Sequence, residues 1–228
     1  MHILIPLLTL AFAASPLVTS SFGGFAADAF PVPQDDPPVQ PAGYAFAIWG
    51  VIYLALIAHG LVGLRHRDDP AWRATRLPLA VSLAVGAVWI PVANASPVWA
   101  TVLILVMLAG AWLAHARAGD GVLLRWPLGL YAGWLTAASA VSVGLLLAGY
   151  GVVGAVPAAL VALVLAGGLA ALTLRRAAPA YAVAVVWALV GVIVQNWGAT
   201  WSVALFAGVL AAALTTMAVL RESDRSHT

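Results

Sequence analysis

The sequence predicts an all-α fold, a polytopic transmembrane helical bundle of about eight spans. Three observations predict it: scarce charge, long apolar runs, and arginines confined to alternate loops. Charged residues make up 8 % and hydrophobic residues 64 % of 228 positions, and the mean hydropathy is +1.02. Soluble domains are about a quarter charged, so this chain lacks the charge to cover a water-facing surface. In lipid, backbone polar groups must be satisfied within helices or a closed barrel. The apolar runs are continuous rather than alternating, which selects helices.

A spanning helix needs about 20 apolar residues at 1.5 Å rise to cross a core of about 30 Å. Four qualifying runs extend from about Ile3 to Ser21, Tyr44 to Leu64, Leu77 to Ala95 and Val98 to Ala116. Four more extend from about Leu124 to Ala148, Ala155 to Leu174, Pro179 to Asn196 and Thr200 to Leu220. Only Asn94, Ala95, Ser96 and Pro97 separate the third from the fourth, so those two form a tight hairpin. The first span lacks a basic leader, and Ala11-Phe12-Ala13-Ala14 resembles a cleavage site. A retained helix is expected; its removal leaves seven spans.

With eight spans every arginine falls on one side: Arg65, Arg67, Arg73 and Arg76, then Arg117 and Arg125, then Arg175 and Arg176, then Arg221 and Arg225. The positive-inside rule makes that side cytoplasmic. Both termini are then expected in the cytoplasm. The other side carries one substantial segment, Phe22 to Ala42, with Asp28, Asp35 and Asp36 and five prolines. Prolines fix φ and favour a semi-rigid extended chain, suited to a plain linker or to a lid over the bundle mouth.

The missing chemistry is informative. There is no cysteine, hence no disulfide or thiolate site, and no lysine, hence no Schiff base. The net charge of +2 is too weak to suggest nucleic acid. All eight acidic residues fall in loops or the tail, and no span carries a carboxylate or arginine well inside it. Pumps, ion-coupled carriers and intramembrane hydrolases place ionisable groups at membrane depth because their mechanism needs them there. His59 and His115 lie near span ends and read as interfacial histidines, without a second ligand to make a metal site. No catalytic residue, metal or required cofactor is therefore expected.

What remains is aromatic. Of ten tryptophans, Trp72, Trp99, Trp126, Trp197 and Trp201 lie near span ends, where an interfacial belt explains them. Trp49, Trp89, Trp134 and Trp187 lie deeper. Phe46, Trp49 and Tyr53 recur at steps of three and four and share one helix face; Tyr131, Trp134, Ala138 and Ser142 share another. Periodicity shows a shared face but not where it points. If these faces converge, they line an aromatic cavity beneath the proline-rich segment, with Pro38, Pro41 and Tyr44 as its lid.

The segment Pro41-Ala-Gly-Tyr44-Ala-Phe46-Ala-Ile-Trp49-Gly-Val-Ile-Tyr53 resembles the signature opening the second helix of the TspO/MBR family, the tryptophan-rich sensory or translocator proteins. Trp89-Ile90-Pro91 is similar to that family's Trp-Ser-Pro, and Tyr131-Ala-Gly-Trp134-Leu-Thr136 to its Pro-Tyr-x-x-Trp-x-Thr. The resemblance covers residues 1–148, a five-helix unit, with residues 149–220 as three further helices and 221–228 as a tail. It implies the larger, eight-span bacterial branch. It also implies a pocket for a planar tetrapyrrole such as protoporphyrin IX, involving Phe46, Trp49, Tyr53, Trp89, Tyr131 and Trp134. Three positions depart from the family: Gly86 and Ser142 stand where it has Asn, and Leu130 where it has Pro. Ser142 keeps a hydroxyl on the aromatic face.

The expected function is a membrane receptor or sensor for a hydrophobic small molecule, porphyrin-like and planar. The alternatives are a facilitator or exporter of small apolar molecules and, disfavoured by the missing carboxylates, a lipid-modifying enzyme. Membrane lipid is the surrounding partner. Gly129 and Gly133 form a Gly-x-x-x-Gly step that suits either a homodimer interface or ordinary tight packing. A fluorescent protein fused after Thr228 is expected to fluoresce in the cytoplasm, and an alkaline phosphatase fused after Asp36 to be active outside it. The reverse pattern overturns the orientation.

Overall fold

In the computed structural model, residues 1–19, 22–174 and 178–226 are described. They form eight α-helices: α1 (Leu4–Val18), α2 (Ile48–Arg65), α3 (Pro70–Ala95), α4 (Pro97–Arg117), α5 (Val122–Gly149), α6 (Ala155–Leu174), α7 (Pro179–Asn196) and α8 (Trp201–Ser226). A 3₁₀ turn, Gly43–Ala47, leads into α2. The last seven helices are long and apolar enough to cross a membrane. The chain is a multi-pass helical membrane protein. Helix α1, with 15 residues, reaches about 22 Å, short of a full hydrocarbon core.

Local chemistry sets the helix ends. α3 starts seven residues before the expected Leu77, because Pro70 occupies its first turn and the Asp69 carboxylate accepts from Ala71 N at 2.8 Å. Arg73 and Arg76 therefore sit on the helix rather than in a loop. Arg76 is buried, and its guanidinium donates to the carbonyls of Arg67 (2.7 Å) and His66 (2.9 Å), just past the end of α2. Helix ends leave such carbonyls without intrahelical partners.

Helix α5 runs through the centre. Its approach to α7 uses the Gly-x-x-x-Gly step within the chain: a Cβ on Gly133 would lie 2.3 Å from the Tyr181 carbonyl oxygen, and one on Gly129 would lie 3.4 Å from Tyr181 N. Small residues let helix backbones close up where lipid offers no hydrophobic drive. The Tyr181 hydroxyl completes the contact at 2.9 Å from Thr136 Oγ1. α6 meets α5 at Gly144, and α8 packs on α6 and α7. The buried side chains of α1 to α5 and of α6 to α8 belong to one continuous core.

The two ends of the bundle differ. At the arginine-rich end His59 and His115 are buried, not reaching toward head groups. His59 Nδ1 lies 3.0 Å from the Leu123 carbonyl, and His115 Nε2 accepts from Ala178 N at 3.2 Å. Each is thus held by the backbone of a neighbouring helix end. Trp72 is no belt residue either: it is buried with its ring stacked on both His59 and His66. Trp99, Trp126, Trp197 and Trp201 are exposed, as a belt requires. Arg221 donates to the Leu174 carbonyl; Arg175, Arg176 and the expected end of the first span at Ser21 lie outside the described residues, as does the side chain of Arg225.

Gly133→Val is expected to destabilise the detergent-solubilised protein by about 1–3 kcal/mol or more, the usual cost of overpacking. Gly168→Ala, with nothing within 4 Å of the added carbon, should be neutral or gain about 0.5–1 kcal/mol of helix preference. Thermal unfolding of both variants checks the pair.

Candidate functional site

Between α2, α3, α4, α5 and α7, at the arginine-poor end, the aromatic faces converge on a cavity. Its walls include Phe46 from the 3₁₀ turn, Trp49 from the start of α2, Trp89 from the end of α3, and Trp134, Ala138, Ser142 and Leu145 from α5. Helical spacing explains the α5 set, since steps of three and four keep one face toward the same space. The space is about 570 Å³ with its mouth included, within the usual range for small-molecule sites. Its clear interior is only about 50 Å³, room for a few waters. A large planar ligand thus enters only if side chains at the mouth move.

The mouth is covered by the proline-rich segment. Phe22, Gly24, Phe25, Gln40 and Pro41 complete the lining. Phe22 packs edge-on against Trp89 at 4.8 Å and Phe25 at 5.1 Å, and Phe25 against Phe30 at 5.7 Å. Phe30 is buried where α5 ends: a Cβ on Gly149 would lie 2.4 Å from its ring, and Val32 N donates to the Gly149 carbonyl at 2.9 Å. Gly24 has φ +125°, and a Cβ there would meet the Gln40 amide at 2.8 Å, so the chain closes on itself only with glycine at this point. The segment thus folds down over the cavity as a cover.

Below the cavity lies a second aromatic layer centred on Phe12 of α1. Its ring is 5.6 Å from Trp49, 5.1 Å from Tyr53 and 5.8 Å from Tyr131. Trp49 and Tyr53 stack at 5.4 Å. Tyr131 is fully buried, its hydroxyl 2.9 Å from Ser82 Oγ, which in turn donates to the Met107 carbonyl at 2.8 Å. Tyr53 and Tyr131 thus form the floor rather than the wall. A Cβ on Gly86 would strike the Phe12 ring at 2.7 Å, so the small residue in α3 is what admits Phe12.

Of the expected site residues, Phe46, Trp49, Trp89, Trp134, Ser142 and Pro41 meet in this cavity. Pro38 stands beside it, its carbonyl accepting from Asn196, and Tyr44 turns away to meet Trp187 edge-on at 5.6 Å. Sequence reasoning missed Phe12, Phe22, Phe25 and Ala188 of α7. One signal was available: three of the six phenylalanines, Phe22, Phe25 and Phe30, lie in a segment expected to face water.

No residue lining the cavity is ionisable, and among the described residues no three His, Cys, Asp or Glu side chains gather as a metal site. Trp89 Nε1 donates to the Ala100 carbonyl at 2.9 Å. Trp134 is 2 % exposed, and its indole N–H has no acceptor among the described residues. An unpaired buried donor costs about 1–3 kcal/mol. The arrangement can stack a flat apolar molecule on aromatic faces, with the Trp134 indole, the Ser142 hydroxyl and the Gln40 amide as polar groups in its lining.

The chain matches the family model described as TSPO-like protein over residues 31–220. No curated protein matches, and no solved structure matches. The matched region takes in α6, α7 and α8 as well as the aromatic helices.

Phe12→Ala is expected to cost about 2–3 kcal/mol, mainly the cavity it leaves, since in lipid the transfer part of the usual Phe→Ala penalty shrinks. Denaturant unfolding in detergent measures it. An unchanged midpoint would show that the second layer does not support the bundle.

Proposed function

The chain belongs to the TSPO-like protein family, and on that premise we propose that it is a membrane receptor for an apolar planar ligand of the tetrapyrrole class. The ligand stacks against Trp49 and Trp89 and accepts a hydrogen bond from the Trp134 indole. The observation that carries this reading is the unpaired, buried Trp134 N–H in a wall that is mostly aromatic and aliphatic carbon. A ligand with a ring nitrogen or carbonyl removes the cost of that donor, whereas a pure hydrocarbon does not. Ser142 and the Gln40 amide are further polar groups, one in the wall and one at the mouth. With the arginine-rich end in the cytoplasm of a bacterial cell, the cavity opens toward the outer face of the inner membrane.

Entry requires Phe22 and Phe25 to swing aside. Binding is therefore slower than diffusion, as for sites gated by a conformational step. The experiment is a titration of purified protein with protoporphyrin IX, followed by quenching of tryptophan fluorescence. Trp134→Phe keeps the ring and removes the donor, so Kd is expected to rise by roughly fivefold, about 1 kcal/mol. The Trp49→Ala, Trp134→Ala double variant is expected to lose saturable quenching. Quenching that stays saturable with the parent Kd in the double variant overturns the site.

A further inference from the structure

We infer that α7 positions the mouth of this cavity, with Trp187, Gly191 and Asn196 holding residues 38–47 in place. The inference rests on the reading of the cavity as a ligand site only for its consequence, not for the contact itself. Three hydrogen bonds join the two segments. Asn196 Nδ2 donates to the Pro38 carbonyl at 2.8 Å, Ala42 N to the Gly191 carbonyl at 3.0 Å, and Trp187 Nε1 to the Ala45 carbonyl at 2.8 Å. Along α7 these partners span about 13 Å at 1.5 Å per residue, so the segment is fastened along its length rather than at a point.

The physical need is specific. Residues 37–41 include three prolines, which donate no backbone hydrogen bond, and their carbonyls sit at the edge of an apolar bundle. Buried carbonyls need donors, and the backbone N–H groups of α7 are already committed to its own helix. The Pro37 carbonyl takes its donor from Gln40 N in the same segment. α7 can add donors only from side chains: Asn196 supplies one to Pro38 and Trp187 one to Ala45, whose carbonyl also accepts from Ile48 N. Gly191 sets the distance: a Cβ there would lie 2.8 Å from Pro41 Cβ and 2.9 Å from Ala45 Cβ. The held segment carries Pro41 and Phe46, both in the cavity wall, and Ala188 of α7 is in the wall itself. Trp187 and Asn196 are positioning residues, since neither lines the cavity.

The chain has no native cysteine, so Gln40→Cys gives a single reporter at the mouth. In that background the rate of modification by a membrane-impermeant maleimide is measured with Trp187→Phe, Asn196→Ala and Gly191→Ala added singly. The first two remove one donor each and the third forces the backbones apart. Each is expected to raise the labelling rate about three- to tenfold, while Val194→Ala, on an exposed face of α7, leaves it unchanged. Without the reporter, the same three variants should release protoporphyrin IX faster by a similar factor. Thermal midpoints identify any variant that fails to fold; Trp187→Phe keeps an aromatic ring on a partly exposed position and decides the matter if Gly191→Ala does not fold. Labelling rates at the parent value in the folded variants overturn the inference. Absence of porphyrin quenching in the parent protein overturns the ligand reading instead, and the labelling rates still decide whether α7 holds the mouth.

Discussion

Where α7 crosses α5, the Tyr181 carbonyl lies so close to Gly133 that no side-chain carbon fits between them. Much of the structure follows from that approach. It sets α7 near enough to the bundle axis for Gly191 to meet Pro41 and for Trp187 and Asn196 to reach the carbonyls of residues 38 and 45. The segment so held turns through Gly43–Ala47 into α2 and brings Phe46 to 6.0 Å from Trp134. A glycine-permitted contact between two backbones thereby helps to place Phe46 in the aromatic wall. In lipid, where apolar side chains gain little by leaving their solvent, such close backbone packing and the hydrogen bonds around it supply much of the specificity.

The floor of the cavity depends on a second small residue. Gly86 stands where the resembling family carries Asn, and the space is filled by Phe12 from α1. The exchange replaces a polar group with an aromatic ring, leaving Trp134, Ser142 and Gln40 as the polar contributions to the lining. It also gives α1 a structural task that its length alone would not suggest. Although too short for a full crossing, α1 places Phe12 against Trp49, Tyr53 and Tyr131.

The opposite end of the bundle solves a different problem. Carbonyls without helical partners lie there, and side chains meet them: Arg76 at the end of α2, Arg221 at the end of α6, and His59 at Leu123. The Leu123 carbonyl would otherwise face Pro127, a residue with no N–H. Arginine suits this place because its several donors bind carbonyls while its charge stays near the interface. The arginines that mark this end of the bundle thus also close its helices. With polar function gathered at that end, the arginine-poor end is free to be apolar, covered and aromatic.

The sequence by itself determined the fold class, the positions of the helices and the aromatic faces on α2 and α5. These are one-dimensional properties: a run of about 20 apolar residues must span as a helix in lipid, and steps of three and four must share a face. It also placed Trp49 and Trp89 at similar depth, with Trp134 nearer the midplane, because depth is counted from the helix end at 1.5 Å per residue. Tertiary structure alone decided which face points inward: it set Tyr53 and Tyr131 with Phe12 in the floor, turned Tyr44 from the expected lid toward Trp187, and brought Phe22 and Phe25 into the lining. It decided that Gly129 and Gly133 serve α7 within the chain, and that His59, His115 and Trp72 are buried. The reason is physical. A glycine or an indole has the same local signature whether it meets lipid, a ligand or another helix, and only the packing of helices distant in sequence selects among them.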